Sequence, residues 1–169
     1  MKNIKKRLLS LVLAVVMVLS MSMSVFAADA TATPITVTVQ FFAVGSTPEN
    51  HYTEDGYADE IEVQATSGDS IESIVKKAIA DKGLTASWNT VKDYMIENKT
   101  HQALTSITAN GVTYATWIAS DYSEGAGWTW TAELSDGTAI DNENYMCCRY
   151  MGGNGTIYLQ YGYDDYTNY

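Results

Sequence analysis

Residues 61–83, IEVQATSGDSIESIVKKAIADKG, decide the fold, because the hydrophobic period changes within them. Ile61, Val63 and Ala65 alternate with Glu62 and Gln64, the pattern of a strand with one wet face. After the Gly68-Asp69 turn, Ile71, Ile74, Val75, Ala78 and Ile79 recur at i, i+3, i+4, i+7 and i+8, the buried stripe of an amphipathic helix. Asp69 is placed to cap that helix, and Glu72, three residues on, completes a capping box. Lys76, Lys77 and Lys82 lie off the stripe or toward the C-terminal end, where cations suit the helix dipole. Gly83 supplies the left-handed residue that ends it.

Upstream, Ile35 to Val39 (ITVTV) reads as a strand that Phe41, Phe42 and Val44 extend. Gly45 to Gly56 is rich in turn formers and acids and reads as an exposed loop. Downstream, Trp88, Val91, Tyr94 and Met95 predict a second, shorter helix. Leu104 to Ala109 predicts a strand that ends at the turn pair Asn110-Gly111. Tyr114 to Gly127 reads as a loop. Trp128 to Leu134, Tyr145 to Tyr150 and Thr156 to Tyr161 read as strands, the last with Ile157, Leu159 and Tyr161 on one face. Strand, strand, helix and then several strands imply an α+β fold, a mixed sheet packed on one main helix.

The N-terminus sets the compartment. Of the ten cations, Lys2, Lys5, Lys6 and Arg7 fall in the first seven residues, and Leu8 to Ala27 carries no charge. With Val25 and Ala27 as the small residues at its end, residues 1–27 read as a secretory signal peptide, and the expected product is secreted, or held at the cell surface by a partner. Removing 27 residues leaves 142, in which six cations face twenty acids, a net charge of −14. That is the length of one domain. Its charge opposes nucleic acid and anionic membrane surfaces. Residues 28–34 read as a spacer, 35–163 as the domain and 164–169 as an acidic, Tyr-rich tail, with no lipid-anchor or wall-sorting signal.

Four aromatic residues, Trp117, Tyr122, Trp128 and Trp130, lie within fourteen positions. They fit a stacking surface for a flat or ring-shaped ligand, a corrinoid or a sugar. They equally fit a core in which Trp128 and Trp130 share a strand face and pack on the helix, with Trp117 and Tyr122 free in loops. Cys147 and Cys148 are adjacent, so two readings stand: a vicinal disulfide that kinks the chain, or two free thiols on opposite strand faces. Neither histidine, His51 or His101, stands in ligand spacing to them, so no metal is expected. The acids Glu54-Asp55, Asp59-Glu60, Asp141 to Glu143 and Asp164-Asp165 lack a calcium-loop pattern and read as a solvated surface. No nucleophile elbow, zinc-protease helix or phosphate loop is present, so the expected function is non-catalytic.

Five stretches in this order, ITVTVQ (35–40), IEVQATSGDSIESIVKKA (61–78), LTSITANG (104–111), GWTWTAELSDG (127–137) and TIYLQYGY (156–163), resemble the transcobalamin-like C-terminal domain, catalogued in bacteria as domain of unknown function 4430. The resemblance implies a β-grasp-like, ubiquitin-like fold and a ligand-binding module, with cobalamin or another corrinoid as its ligand. It implies contacts from Trp128, Thr129 and Trp130, with Thr105 and Ser106 in the turn beside them. The vitamin carriers close over the corrinoid with a large helical domain, so a second protein completing the site is the implied partner. The second function reading is a cell-surface interaction or adhesion module for a protein or glycan. No required cofactor is expected.

Overall fold

The fold is built around a parallel pairing of its first and last strands. The computed structural model describes residues 32–93, 96–97, 99–142 and 145–165. The leader at 1–27, Tyr94, Met95, Glu143 and the last four residues of the expected tail lie outside them. Strand β1 (Pro34–Val44) lies between β2 (Gly56–Thr66), antiparallel to it, and β9 (Gly155–Asp165), parallel to it. On the far side of β9 runs antiparallel β7 (Glu124–Leu134), whose other edge takes the two-residue strands β6 (Trp117–Ile118) and β8 (Ala139–Ile140). A second antiparallel sheet has the order β3-β4-β5, formed by Thr85–Lys92, Thr100–Ala109 and Val112–Ala115. With α1 (Ile71–Asp81), the one α-helix among the described residues, this is an α+β fold with a mixed main sheet.

The alternation in the strands decides what is buried. Ile35, Val37, Val39, Phe41 and Ala43 of β1 point inward, with Val63 of β2 and Ile157, Leu159 and Tyr161 of β9. The helix lays Ile71, Ile74, Val75, Ala78 and Ile79, the whole predicted stripe, into the same core, and Leu104, Ile107 and Tyr114 enter it from the second sheet. Gly155 is required where β9 enters the sheet, since a Cβ there would stand 2.1 Å from the Glu133 carbonyl oxygen.

The helix caps differ by one residue from the sequence reading. Ser70, not Asp69, is the N-cap and accepts from the Ser73 N–H at 3.2 Å. Asp69 instead closes the preceding turn, accepting from the Thr66 N–H (2.7 Å) and hydroxyl (3.1 Å). Glu72 pairs with Lys76 one turn on. The C-terminus follows the expected rule: Gly83 has φ +69°, and the Gly83 and Leu84 N–H groups donate to the carbonyls of Ala80 and Ile79.

Four further expectations are corrected. Trp88 and Val91 belong to β3 rather than to a second helix, because Thr85, Thr90 and Val91 are β-branched and the segment pairs along its length with β4. The expected strand at Tyr145–Tyr150 is a 3₁₀ turn, Met146–Cys148. The expected loop at Tyr114–Gly127 holds the end of β5, all of β6 and the start of β7. Asp164 and Asp165, assigned to a tail, continue β9 opposite Gly125 and Glu124. The turn at Asn110-Gly111 stands as expected, both residues at positive φ.

Ile74, 1 % exposed, tests the core directly. Ile74→Asp places an unpaired carboxylate among apolar groups, and a loss on the order of 4 kcal/mol is expected. A thermal melt followed by circular dichroism checks this, and a midpoint within a few degrees of the parent would contradict the packing.

Candidate functional site

The structure separates the aromatic residues that the sequence groups. Trp128 and Trp130 share the inner face of β7, and both pack on the core. The Trp128 indole N–H donates to the Tyr114 carbonyl oxygen at 2.9 Å, and its ring lies 5.4 Å from that of Tyr161. Thr129 points the other way, exposed on the outer face, its hydroxyl 3.4 Å from the Gln160 carbonyl oxygen. Trp117 sits on β6 opposite Ala126, its indole N–H buried without a partner among the described residues. Tyr122 stands 76 % exposed in a turn at φ +60°, outside the ring contacts that hold Trp117 and Trp128. Thr105 and Ser106 lie in β4, with the Thr105 hydroxyl donating to the Ser87 carbonyl and Ser106 paired with Ala115. Trp117, Tyr122 and Trp128 therefore do not share one open face.

Trp117 instead belongs to a cluster at one end of the main sheet. His51 stacks on Tyr163 at 4.1 Å and lies 6.2 Å from Trp117, and Tyr52 meets the Tyr163 edge at 5.7 Å. The Glu124 carboxylate accepts from the Tyr163 hydroxyl at 2.7 Å and lies 3.0 Å from His51 Nε2. That carboxylate holds the Tyr163 phenol protonated, pushing it from 10.0 up to about 12. This cluster ties the 45–55 loop to the sheet.

The open surface lies on the other side. Across β2, β1, β9 and β7 the outward residues fall in register: Glu60, Gln40, Tyr158 and Thr131 in one row, Ala58, Phe42, Gln160 and Thr129 in the next. Phe42, 52 % exposed, and Tyr158 thus lie diagonally across the parallel pair, each beside a glutamine. They line a shallow groove of ≈490 Å³ with Gln40, Glu60 and Gln160. Its polar groups are oriented by one another: Gln40 Nε2 donates to Glu60 at 3.1 Å and the Tyr158 hydroxyl to Glu133 at 2.7 Å.

A third constellation joins residues far apart in sequence. His101, 2 % exposed on β4, places Nδ1 3.0 Å from the Cys147 sulfur and 3.7 Å from the Cys148 sulfur, and those sulfurs are 3.5 Å apart. Both cysteines are free thiols. The other imidazole nitrogen, Nε2, meets the Asp93 carboxylate at 2.7 Å. The Tyr145 ring stacks on the imidazole at 4.0 Å. The 3₁₀ turn is the cause: it sets neighbouring side chains about 120° apart, so both can reach His101, where a strand would oppose them. Buried Met146 and Met151 anchor that turn, and the Ile71 N–H at the helix start donates to the Arg149 carbonyl. Burial and the adjacent Cys148 push the Cys147 thiol up to about 11, the opposite of what an activated nucleophile needs. Sequence spacing hid this cluster, since 46 residues separate His101 from Cys147.

The chain matches no protein-family model and no curated protein. Among the described residues no helix is long and apolar enough to cross a membrane.

The Glu124 contact has a measurable consequence. A phenol held at about 12 rather than 10.0 gives the fold a contribution that is complete below pH 10 and lost as pH rises toward 12. Ultraviolet titration of tyrosine ionisation, with Tyr163→Phe to identify the group, is expected to show Tyr163 ionising last. In Glu124→Gln its midpoint is expected to fall back toward 10.

Proposed function

We propose that the chain is an exported, non-catalytic binding module that takes a neutral glycan on the outer face of its main sheet. The observation that carries this reading is the pairing of exposed Phe42 and Tyr158 with Gln40, Gln160 and Glu60 around one shallow groove. Aromatic rings suit the apolar faces of sugar rings, while amides and carboxylates suit their hydroxyls. A strongly acidic chain disfavours anionic glycans, so the ligand class is neutral. The groove is open, so the affinity is modest, on the order of micromolar or weaker.

The finer fold reading belongs here too. Two parallel central strands at the chain's two ends, flanked by antiparallel neighbours and crossed by one helix, support a β-grasp-like fold and, with it, the kinship to transcobalamin-like C-terminal domains. For a corrinoid, the nominated residues offer less than their sequence suggests. Trp128 donates its N–H to the Tyr114 carbonyl and sets its ring against those of Tyr114 and Tyr161, and Thr129 points to the opposite side. Corrinoid binding is therefore the competing outcome of the test. The leader and the acidic surface support export, free or held at the cell surface.

Isothermal titration against a panel of neutral and acidic oligosaccharides, cobalamin and cobinamide decides between them. Neutral oligosaccharides are expected to bind, and Phe42→Ala to weaken them roughly tenfold, or about 1.4 kcal/mol. Trp128→Ala, checked for folding, is expected to leave the glycan affinity within about twofold. Corrinoid binding that Trp128→Ala abolishes would overturn the glycan reading.

A further inference from the structure

We infer that His101, Cys147 and Cys148 form a binding site for one thiophilic d¹⁰ cation of the zinc class, with Asp93 holding the histidine in its ligating form. The inference is independent of the glycan reading.

The donor set selects the metal. Two sulfurs and one imidazole nitrogen are soft to borderline donors, which suit zinc and disfavour magnesium and calcium. All three ligand atoms lie within 4.8 Å of one another. Metal–ligand bonds of about 2.3 Å to sulfur and about 2.0 Å to nitrogen, arranged tetrahedrally, put ligand atoms about 3.5 to 3.8 Å apart. The separations here are 3.0 and 3.7 Å from nitrogen to the two sulfurs and 3.5 Å between the sulfurs, so the Cys147–His101 edge has to open by about half an ångström and the sulfur–sulfur edge by about 0.3 Å.

The histidine is already prepared. An ionised carboxylate only accepts, so Asp93 accepts a hydrogen bond from the Nε2–H, and the lone pair of the ring is left at Nδ1, facing the sulfurs. Carboxylate–imidazole–metal arrangements use that second contact to fix the ring and its tautomer. Asp93 is itself held, since its other oxygen accepts from the Ile96 N–H at 3.0 Å. Tyr145 covers one face of the ring.

The surroundings suit the charge. Two thiolates cancel a divalent cation. Near them stand the Asp93 carboxylate behind the imidazole, Glu72 toward Cys147, and the cation Lys99, whose Nζ is 3.8 Å from the Cys148 sulfur. Among the described residues no fourth histidine, cysteine or carboxylate joins the group, and the cysteines are half-exposed. Three protein ligands leave a fourth position for water or an outside donor, as in zinc sites that keep an open position.

The test uses the full-length chain with its thiols kept reduced, because an oxidised Cys147–Cys148 pair offers no thiolate. Zinc is titrated against a chromophoric chelator and cobalt is followed spectroscopically, with magnesium and calcium as controls. One zinc per chain is expected, with the ultraviolet sulfur-to-cobalt band and visible bands of a tetrahedral thiolate site. Cys148→Ser, at a half-exposed position that tolerates the change, is expected to remove most of the cobalt band while circular dichroism stays that of the parent. Asp93→Asn is expected to weaken zinc about 10- to 100-fold. Failure of the reduced chain to take up zinc would overturn the inference. So would uptake that is unchanged in the folded Cys148→Ser chain, or equal uptake of magnesium.

Discussion

The rest of the structure depends on the parallel pairing of β1 with β9. It sets Val37, Val39 and Phe41 beside Ile157, Leu159 and Tyr161 in the middle of the main sheet. Parallel strands cannot be joined by a tight turn, so the chain between them has to cross over a face of the sheet. Everything from α1 through the second sheet accordingly packs on the inner side, where it buries the helix stripe, Ile107 and Tyr114. The outer side is left with Thr36, Thr38, Gln40, Glu62 and Gln64 in contact with water. One pairing thus produces both the core and the open face to which a function is assigned.

That asymmetry explains which parts of the fold were legible in the sequence. Ile35, Val37 and Val39 alternate with threonines because one face is dry and the other wet, and the period-2 signal survives along the whole strand. Ile71 to Ile79 read cleanly because a helix lying on a sheet buries a single stripe. The Trp88–Met95 segment misled because Trp88 and Val91 happen to fall at helical spacing. What decides its state is the long-range pairing of Thr85 to Lys92 with β4, together with Lys76 of the helix lying 4.8 Å over the Trp88 ring. Asp69 and Ser70 are both good caps, and only the turn geometry, with Thr66 claiming Asp69, chooses between them.

The candidate sites were less legible, for a related reason. A tryptophan-rich run announces either a ligand or a core, and composition does not distinguish the two. Strand parity does: Trp128 and Trp130 point with Ala126 and Ala132 to the inside, so of Trp128, Thr129 and Trp130 only Thr129 reaches the outer face. Phe42 passed as an extension of a core strand, although its neighbour Phe41 already held the inward position. Cys147 and Cys148 are free thiols, one of the two readings their adjacency allows, and what differs is the backbone that carries them. As strand neighbours they would diverge, whereas the 3₁₀ turn converges them on His101, a residue contributed by a different sheet.

The thiol–imidazole cluster also stands in an unusual relation to stability. A buried histidine normally weakens a core unless both its nitrogens are paired. His101 is paired on both sides, by Asp93 and by Cys147. The apolar core around β1, β9 and α1 is built without it. Small domains whose only core is a metal cannot fold before they bind. Here the proposed ligands converge in a fold that stands on other contacts, so the core does not depend on a metal to form. Binding would join the β3–β4 hairpin to the turn at the start of α1, two segments that otherwise meet chiefly through the His101 imidazole and the Tyr145 ring.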